Sequence, residues 1–222
     1  MNSKEILKDI GARTNGDVYL GVVGPVRTGK STFIKRFMEI AVVPNIQDEY
    51  LKGRTIDELP QSGEGKTIMT TEPKFIPSSA ATVQIDEEVS IKVRLVDCVG
   101  FVIPSAKGYK DEEGVRMVKT PWLEEAIPFD EAAKIGTQKV IQEHSSIGVV
   151  VTSDGTITDI NREDYEKAEE DVIKELKEIG KPFIIIVNSK TPTSEVCLQI
   201  TNQLKNKFDV PAVDFNIDNM TQ

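Results

Sequence analysis

Three things are scarce in this sequence: cysteine, histidine and positive charge. Its 222 residues hold two cysteines and one histidine. Cys98 and Cys197 make no disulfide framework, and Cys98, in an apolar run, reads as a buried reduced thiol. His144, at the end of a helical stretch, reads as structural and not as a catalytic base. Lys and Arg number 27 against 36 Asp and Glu, a formal charge of −9. A chain this acidic is a poor general nucleic-acid binder, because that binding needs a basic face to neutralise phosphates. Long apolar runs are missing too, and nothing approaches the ~20 residues that span a bilayer. The first ten residues, MNSKEILKDI, are too charged for a secretory signal, so an intracellular protein is expected. Internal repeats and low-complexity linkers are absent.

What remains is ordinary for a globular chain, with 39% apolar and 28% charged residues. A domain of this length buries about 70% of its unfolded surface and needs no staples. Lys4 to Thr14 reads as a short amphipathic helix with Ile6, Leu7 and Ile10 on one stripe, able to dock on this domain or on a partner. Val18 to Gly24 is β-branched and reads as a buried strand. Lys30 to Val43 has helical period, ended by Pro44. A long polar stretch then runs from Asn45 to about Pro77, and loops of that length are often functional. Ala81 to Ile85 and Ile91 to Val96 read as two strands of a hairpin. Val99 to Pro128 reads as irregular. Helix Phe129 to Glu143, strand Ile147 to Thr152, a helix capped by Asn161 and ending at Ile179, strand Phe183 to Asn188, helix Thr193 to Lys207 and strand Pro211 to Asn216 complete the order.

Strands alternating with helices predict a largely parallel sheet covered on both faces, with one antiparallel edge strand from the hairpin. One domain over residues 1–222, with a short helix over 1–15, fits better than two. The chain stops just past a strand where a closing helix is expected, so it reads as a fragment of a longer protein.

The sharpest signal is the run Gly24, Pro25, Val26, Arg27, Thr28, Gly29, Lys30, Ser31, Thr32. It matches GxxxxGK followed by a hydroxyl residue, and it stands between a strand and a helix, as phosphate binding requires. Glycines let backbone N–H groups turn inward around phosphates, and the positive end of the helix faces the same charge. All of these residues are candidate nucleotide contacts. Lys30 can reach the β- and γ-phosphates, and Ser31 Oγ can ligate Mg2+. Arg27 is open between solvent, a phosphate and a neighbouring subunit. Asp97-Cys98-Val99-Gly100 then ends a strand as DxxG, which places a carboxylate for Mg2+ and an N–H, that of Gly100, near the γ-phosphate. In the polar stretch, Thr70 or Thr71 can sense the γ-phosphate through the Mg2+ shell, and the following Glu72 favours Thr71. Lys66 is a weaker candidate contact. The candidate catalytic set is Lys30, Thr70, Thr71 and Asp97, and the metal set is Ser31, Thr71 and Asp97.

Base recognition departs from the guanine pattern. Where a switch GTPase carries NKxD, this chain has Asn188-Ser189-Lys190-Thr191. Asn188 is kept as a nucleotide contact, but Thr191 cannot pair with the guanine edge as a carboxylate does, so ATP is favoured over GTP. After Gly100 comes Phe101 and not glutamine, and no side chain stands out as an organiser of attacking water. Slow turnover is expected. Asp154 in Asp154-Gly155-Thr156 either turns the chain or approaches the nucleotide. A switch GTPase and a nucleotide-binding scaffold without turnover are the alternatives.

GVVGPVRTGKSTFIKRFME, DELPQSGEGKTIMTTEPKF, VRLVDCVG and TPWLEEAIPFDEAAKIGTQKVIQEHS closely resemble the amino-terminal part of the spore-coat morphogenetic ATPases of endospore-forming bacteria, over essentially the whole chain. The resemblance implies a fold derived from translation-factor-class P-loop GTPases, with ATP and Mg2+ in place of GTP. It implies hydrolysis that drives self-assembly into the basement layer of the coat. It also implies a cytoplasmic location on the mother-cell side of the outer forespore membrane, peripheral attachment through a small amphipathic membrane protein, further coat-protein partners and no nucleic acid. Lys30, Thr70, Thr71 and Asp97 match that family's phosphate-loop lysine, sensor threonines and metal-associated aspartate. Membrane targeting and much of the assembly function belong, by the same resemblance, to a carboxy-terminal part that this chain lacks.

Overall fold

The computed structural model describes residues 16–60, 73–84, 90–106, 108–111 and 114–221. The expected helix over 1–15 and the turn joining the hairpin strands lie outside these residues. The described elements are β1 (Asp17–Val23), α1 (Lys30–Phe37), α2 (Glu49–Asp57), β2 (Lys74–Gln84), β3 (Ser90–Asp97), β4 (Lys110–Asp111), β5 (Gly114–Val115), β6 (Met117–Thr120), β7 (Leu123–Pro128), α3 (Phe129–His144), β8 (Ile147–Ser153), α4 (Arg162–Ile179), β9 (Phe183–Asn188), α5 (Glu195–Phe208) and β10 (Ala212–Phe215).

Six strands form one sheet in the order β10-β9-β8-β1-β3-β2. All its pairings are parallel except that of β2 with β3, so the antiparallel edge strand is present. The order reverses at β1. Helix α1 lies on one face with Phe33, Ile34 and Met38 packed over Val18, Val22, Leu95 and Val151. Helices α3, α4 and α5 cover the other face, where Phe129, Val140, Ile173, Leu176 and Leu204 pack over Val23, Val96, Val150 and Ile185. The parallel strands point their carboxyl ends the same way, so the ends of β1, β3, β8 and β9 meet along one edge of the sheet. A ligand in such a sheet binds at that edge, where the strand order reverses.

Five local expectations change. Helix α1 is α-helical only to Phe37, after which a wide turn (Met38–Val42) and a tight one (Val43–Asn45) carry the chain past Pro44. The widening keeps Met38 and Val42 buried before the β-branched pair and proline stop the helix. The polar stretch holds α2, capped by Asp48, whose Oδ1 accepts from Tyr50 N–H at 2.8 Å and Leu51 N–H at 3.0 Å. Strand β2 starts at Lys74 and not at Ala81. Its Pro77 is tolerated because β2 is an edge strand and its register shifts between Ile76 and Ala81. The stretch expected to be irregular contains two small antiparallel ribbons, β4–β5 and β6–β7. At α4, Asn161 stands at the cap position, but its side chain makes no capping bond. At α5, Ser194 does cap, accepting from Cys197 N–H at 3.2 Å.

Candidate nucleotide site

The loop between β1 and α1 is shaped by close packing. Gly24 and Gly29 have positive φ; a Cβ on Gly24 would fall 2.2 Å from Val151 O, and one on Gly29 would fall 2.5 Å from Asn188 Nδ2. No side chain fits at either place. Arg27, also at positive φ (63°), is the non-glycine exception in the loop, and its cation bears on the Tyr165 phenol of α4. Val26 is buried in the core, so it can face a ligand only through its backbone. Pro25 has no N–H, and its carbonyl accepts from Lys30 Nζ at 2.6 Å and Thr28 Oγ1 at 3.0 Å. Lys30 and Ser31 open α1, where Phe33 N–H donates to Gly29 O at 2.8 Å. Thr32, half-buried, lies in the same first turn.

The register of β1 on β3 pairs Val22 with Asp97, which brings the DxxG carboxylate beside the first turn of α1. Ser31 Oγ donates to Asp97 Oδ2 at 2.7 Å. Asp97 Oδ1 is buried and has no hydrogen-bond partner among the described residues. Burial pushes the Asp97 carboxyl above its usual range, against the pull of the Ser31 bond and the Lys30 charge. Burial also pushes the Lys30 ammonium down, against the nearby Asp97. Both groups are held out of water, and the charge of each partly offsets the burial cost of the other. Gly100 (φ 89°) comes so close that a Cβ would stand 2.1 Å from Gly24 O and 2.6 Å from Lys30 Nζ.

Asn188, at the tip of β9, bonds the backbone at both ends of its amide. Its Nδ2 donates to Thr28 O at 3.1 Å and its Oδ1 accepts from Ile217 N–H at 3.2 Å. It thus ties the phosphate loop to the segment after β10. Ser189 Oγ accepts from Thr191 N–H at 2.9 Å. Asp154 turns the chain, its Oδ1 accepting from Thr156 N–H at 3.0 Å and Thr156 Oγ1 at 2.6 Å. Thr156 Oγ1 in turn accepts from Lys190 N–H at 3.0 Å, which joins the β8 and β9 loops. Lys30, Ser31, Asp97, Gly100 and Asn188 therefore converge on one edge. Lys66, Thr70 and Thr71 lie outside the described residues.

Of two further chemical candidates, His144 stands apart from this edge, while Cys98 lies beneath it, next to Asp97 and within electrostatic reach of Lys30. His144, at the far end of α3, packs edge-on against Phe75 with ring centroids 5.0 Å apart. Cys98 is free and buried, its Sγ donating to Val22 O at 3.3 Å, and burial pushes the thiol up to about 11. Such a thiol is almost wholly protonated at neutral pH.

Sequence reading passed over two braces. Phe101 pairs its backbone with the loop, as Phe101 N–H donates to Gly24 O at 3.1 Å and Val26 N–H donates to Phe101 O at 2.9 Å. The Arg162–Glu169 pair, with both contacts at 2.7 Å, sits under the end of β8, where Arg162 also donates to Ser153 O at 3.2 Å. Backbone pairing leaves no residue-type signal. The spacing of the ion pair across two helical turns was the available clue.

A parallel sheet of this order, with a GxxxxGK loop joining its reversal strand to a helix, defines a P-loop nucleoside triphosphatase fold. The comparison with known families then narrows the class. The family profile described as "Stage IV sporulation protein A, ATPase domain" matches residues 1–222, and the chain belongs to that family. It is 58% identical over 222 residues to Stage IV sporulation protein A of Bacillus subtilis (strain 168) and 56% identical to that of Bacillus anthracis, covering 100% of this chain and 45% of each relative. To the protein of the same name from Clostridioides difficile (strain 630) it is 50% identical over 220 residues, covering 99% of this chain and 45% of the relative. The chain thus spans less than half the length of these curated relatives.

Proposed function

We propose that this chain binds Mg2+–ATP and hydrolyses it slowly to ADP and phosphate, and that in the whole protein this turnover drives a conformational change and self-assembly into the spore-coat basement layer. The Lys30–Ser31–Asp97 constellation carries the reading. A buried carboxylate with one oxygen on the helix hydroxyl and the other unpaired suits a hydrated divalent cation, which takes one or two protein oxygens and completes its shell with phosphates and water. Ser31 and Asp97 would hold the Mg2+, joined by Thr71. When bound, the metal neutralises charge on the β- and γ-phosphates.

The chain's own groups do the rest. Lys30 leaves Pro25 O for the phosphate oxygens, where a buried cation is worth most. Pro25, Val26, Arg27 and Thr28 shape the backbone that borders the phosphates, Gly24 and Gly29 let it turn, and Thr32 adds a donor in the first helical turn. Gly100 contributes its N–H beside Lys30. Asn188 holds the loop at the base side, and the NSKT run leaves guanine without a carboxylate partner, which favours ATP. Thr70 and Thr71 report the γ-phosphate.

Residues 1–222 act in this reading as one ATPase domain of a longer protein. Its partners are further copies of itself, a small amphipathic membrane-bound recruiting protein and other coat proteins. Nucleic acid is not among them. It works in the mother-cell cytoplasm at the outer forespore membrane, attached peripherally. Among the described residues no helix is long and apolar enough to cross a membrane.

Phosphate release by the whole protein with Mg2+ and either ATP or GTP tests the reading. ATP turnover well above the no-enzyme rate is expected, and its absence would leave only a nucleotide-binding scaffold. In the same assay Thr71→Ala should keep ATP affinity within about threefold and lower turnover at least about tenfold. Unchanged turnover would remove Thr71 from the mechanism.

A further inference from the structure

Phe101 stands where a switch GTPase carries a water-orienting glutamine, and its side chain has left the site. The ring is 7% exposed and belongs to the same buried cluster as Val26, Ile103, Ala106 and Tyr109. Its backbone meanwhile closes a parallel bridge with the phosphate loop around Pro25, through Gly24 O and Val26 N–H. The residue before it, Gly100, is pressed against Gly24 O and Lys30 Nζ.

We propose that Phe101 is a positioning residue of the nucleotide site, a core-anchored clamp that fixes the Gly100 backbone relative to Lys30 at the γ-phosphate end. This deepens the Mg2+–ATP reading and rests on it. The two bridging bonds are made by backbone, so any residue type can make them. What a buried ring adds is an apolar anchor that keeps the segment seated and keeps water from competing for Gly24 O and Val26 N–H. Without the anchor the segment swings with the loop after it, and Gly100 loses its fixed distance to Lys30.

The clamp acts on Gly100, which the Mg2+–ATP reading places at the γ-phosphate, so a ratio of affinities separates its effect from a general loss of the loop. In the whole protein, affinity for a non-hydrolysable ATP analogue and for ADP is measured by calorimetry for wild type, Phe101→Ala and Phe101→Leu, together with kcat and amide exchange at Val26 and Phe101. Phe101→Ala should lower the analogue-to-ADP affinity ratio about tenfold and kcat by at least as much, with both amides exchanging about tenfold faster. Phe101→Leu, which keeps an apolar anchor, should restore the ratio to within about threefold of wild type. An unchanged ratio in Phe101→Ala overturns the proposal. So does an equal loss of analogue and ADP affinity, which marks general collapse of the loop. If the alanine variant does not fold, faster exchange in Phe101→Leu with no change in ratio overturns it as well. Wild type that binds neither nucleotide refutes the Mg2+–ATP reading, and the clamp with it, and is a distinct outcome from the others.

Discussion

Lys30→Ala should weaken ATP binding at least about tenfold and lower phosphate release by about two orders of magnitude, the scale found when one preorganised charge stabiliser is removed. Lys30 is 5% exposed, and its ammonium rests on Pro25 O at 2.6 Å, inside the loop. A cation so placed is desolvated before substrate arrives, so the phosphates meet it with little water left to displace. The same desolvation makes the charge unfavourable for the fold, since burial pushes the Lys30 ammonium down. The folded state binds this proton less tightly than the unfolded state does. Below the lowered folded-state value the penalty is present in full, and it is relieved as pH rises from that value to the unfolded-state value. Removing the amine should therefore leave the thermal midpoint of the nucleotide-free protein unchanged or higher while binding is lost. Calorimetry and thermal unfolding on one preparation check both parts. Equal ATP affinity in variant and wild type would contradict the assignment, and a fall in the midpoint that parallels the affinity loss would reduce it to a folding defect.

Asp97→Asn should abolish the Mg2+-dependence of ATP binding and reduce turnover about a hundredfold or more, while raising the thermal midpoint without nucleotide or metal. Asparagine keeps an oxygen for the Ser31 hydroxyl, which donates at 2.7 Å, and removes the charge from a carboxylate whose second oxygen is buried and unpaired. The sign follows from the upward shift. A carboxyl whose folded-state value is raised binds its proton more tightly in the folded protein. The stability this gives is present below the unfolded-state value and is lost as pH rises through the folded-state value. The ionised group is therefore a net cost, with the attraction of Lys30 already counted. Each ~1 kcal/mol recovered would raise the midpoint of a chain this size by about 2–4 °C. Wild type should also lose Mg2+-dependent affinity as pH falls toward the raised value, and the variant should show no such slope. A lower midpoint in Asp97→Asn, or Mg2+-dependent binding that survives it, would contradict this account.

These effects concern residues that the sequence made legible, because phosphate and metal chemistry restrict residue type as well as spacing. Gly24, Lys30, Ser31 and Asp97 are each the rare solution to a local demand, and β1, β8 and β9 are continuous apolar runs. Helix α2 was hidden for the opposite reason: Thr55 is its buried residue, and the Asp48 cap sits in a segment without an apolar stripe. The start of β2 was masked by Pro77 and two serines, which an edge strand tolerates and an internal strand does not. The β4–β5 and β6–β7 ribbons are too short for a period of two to show. Asn188 was legible as a remnant of the guanine motif, but its bonds to Thr28 O and Ile217 N–H join segments far apart in the chain. The Phe101 bridge uses backbone atoms only, which no residue pattern records.

The central claim is that this site takes ATP with Mg2+ and discriminates against guanine for want of a carboxylate after Asn188. Calorimetry with Mg2+ and non-hydrolysable ATP and GTP analogues on a single preparation tests it most directly. Tighter binding of the ATP analogue is the predicted result. Tighter binding of the GTP analogue would mean that groups other than the NSKT run read guanine, and would contradict the account.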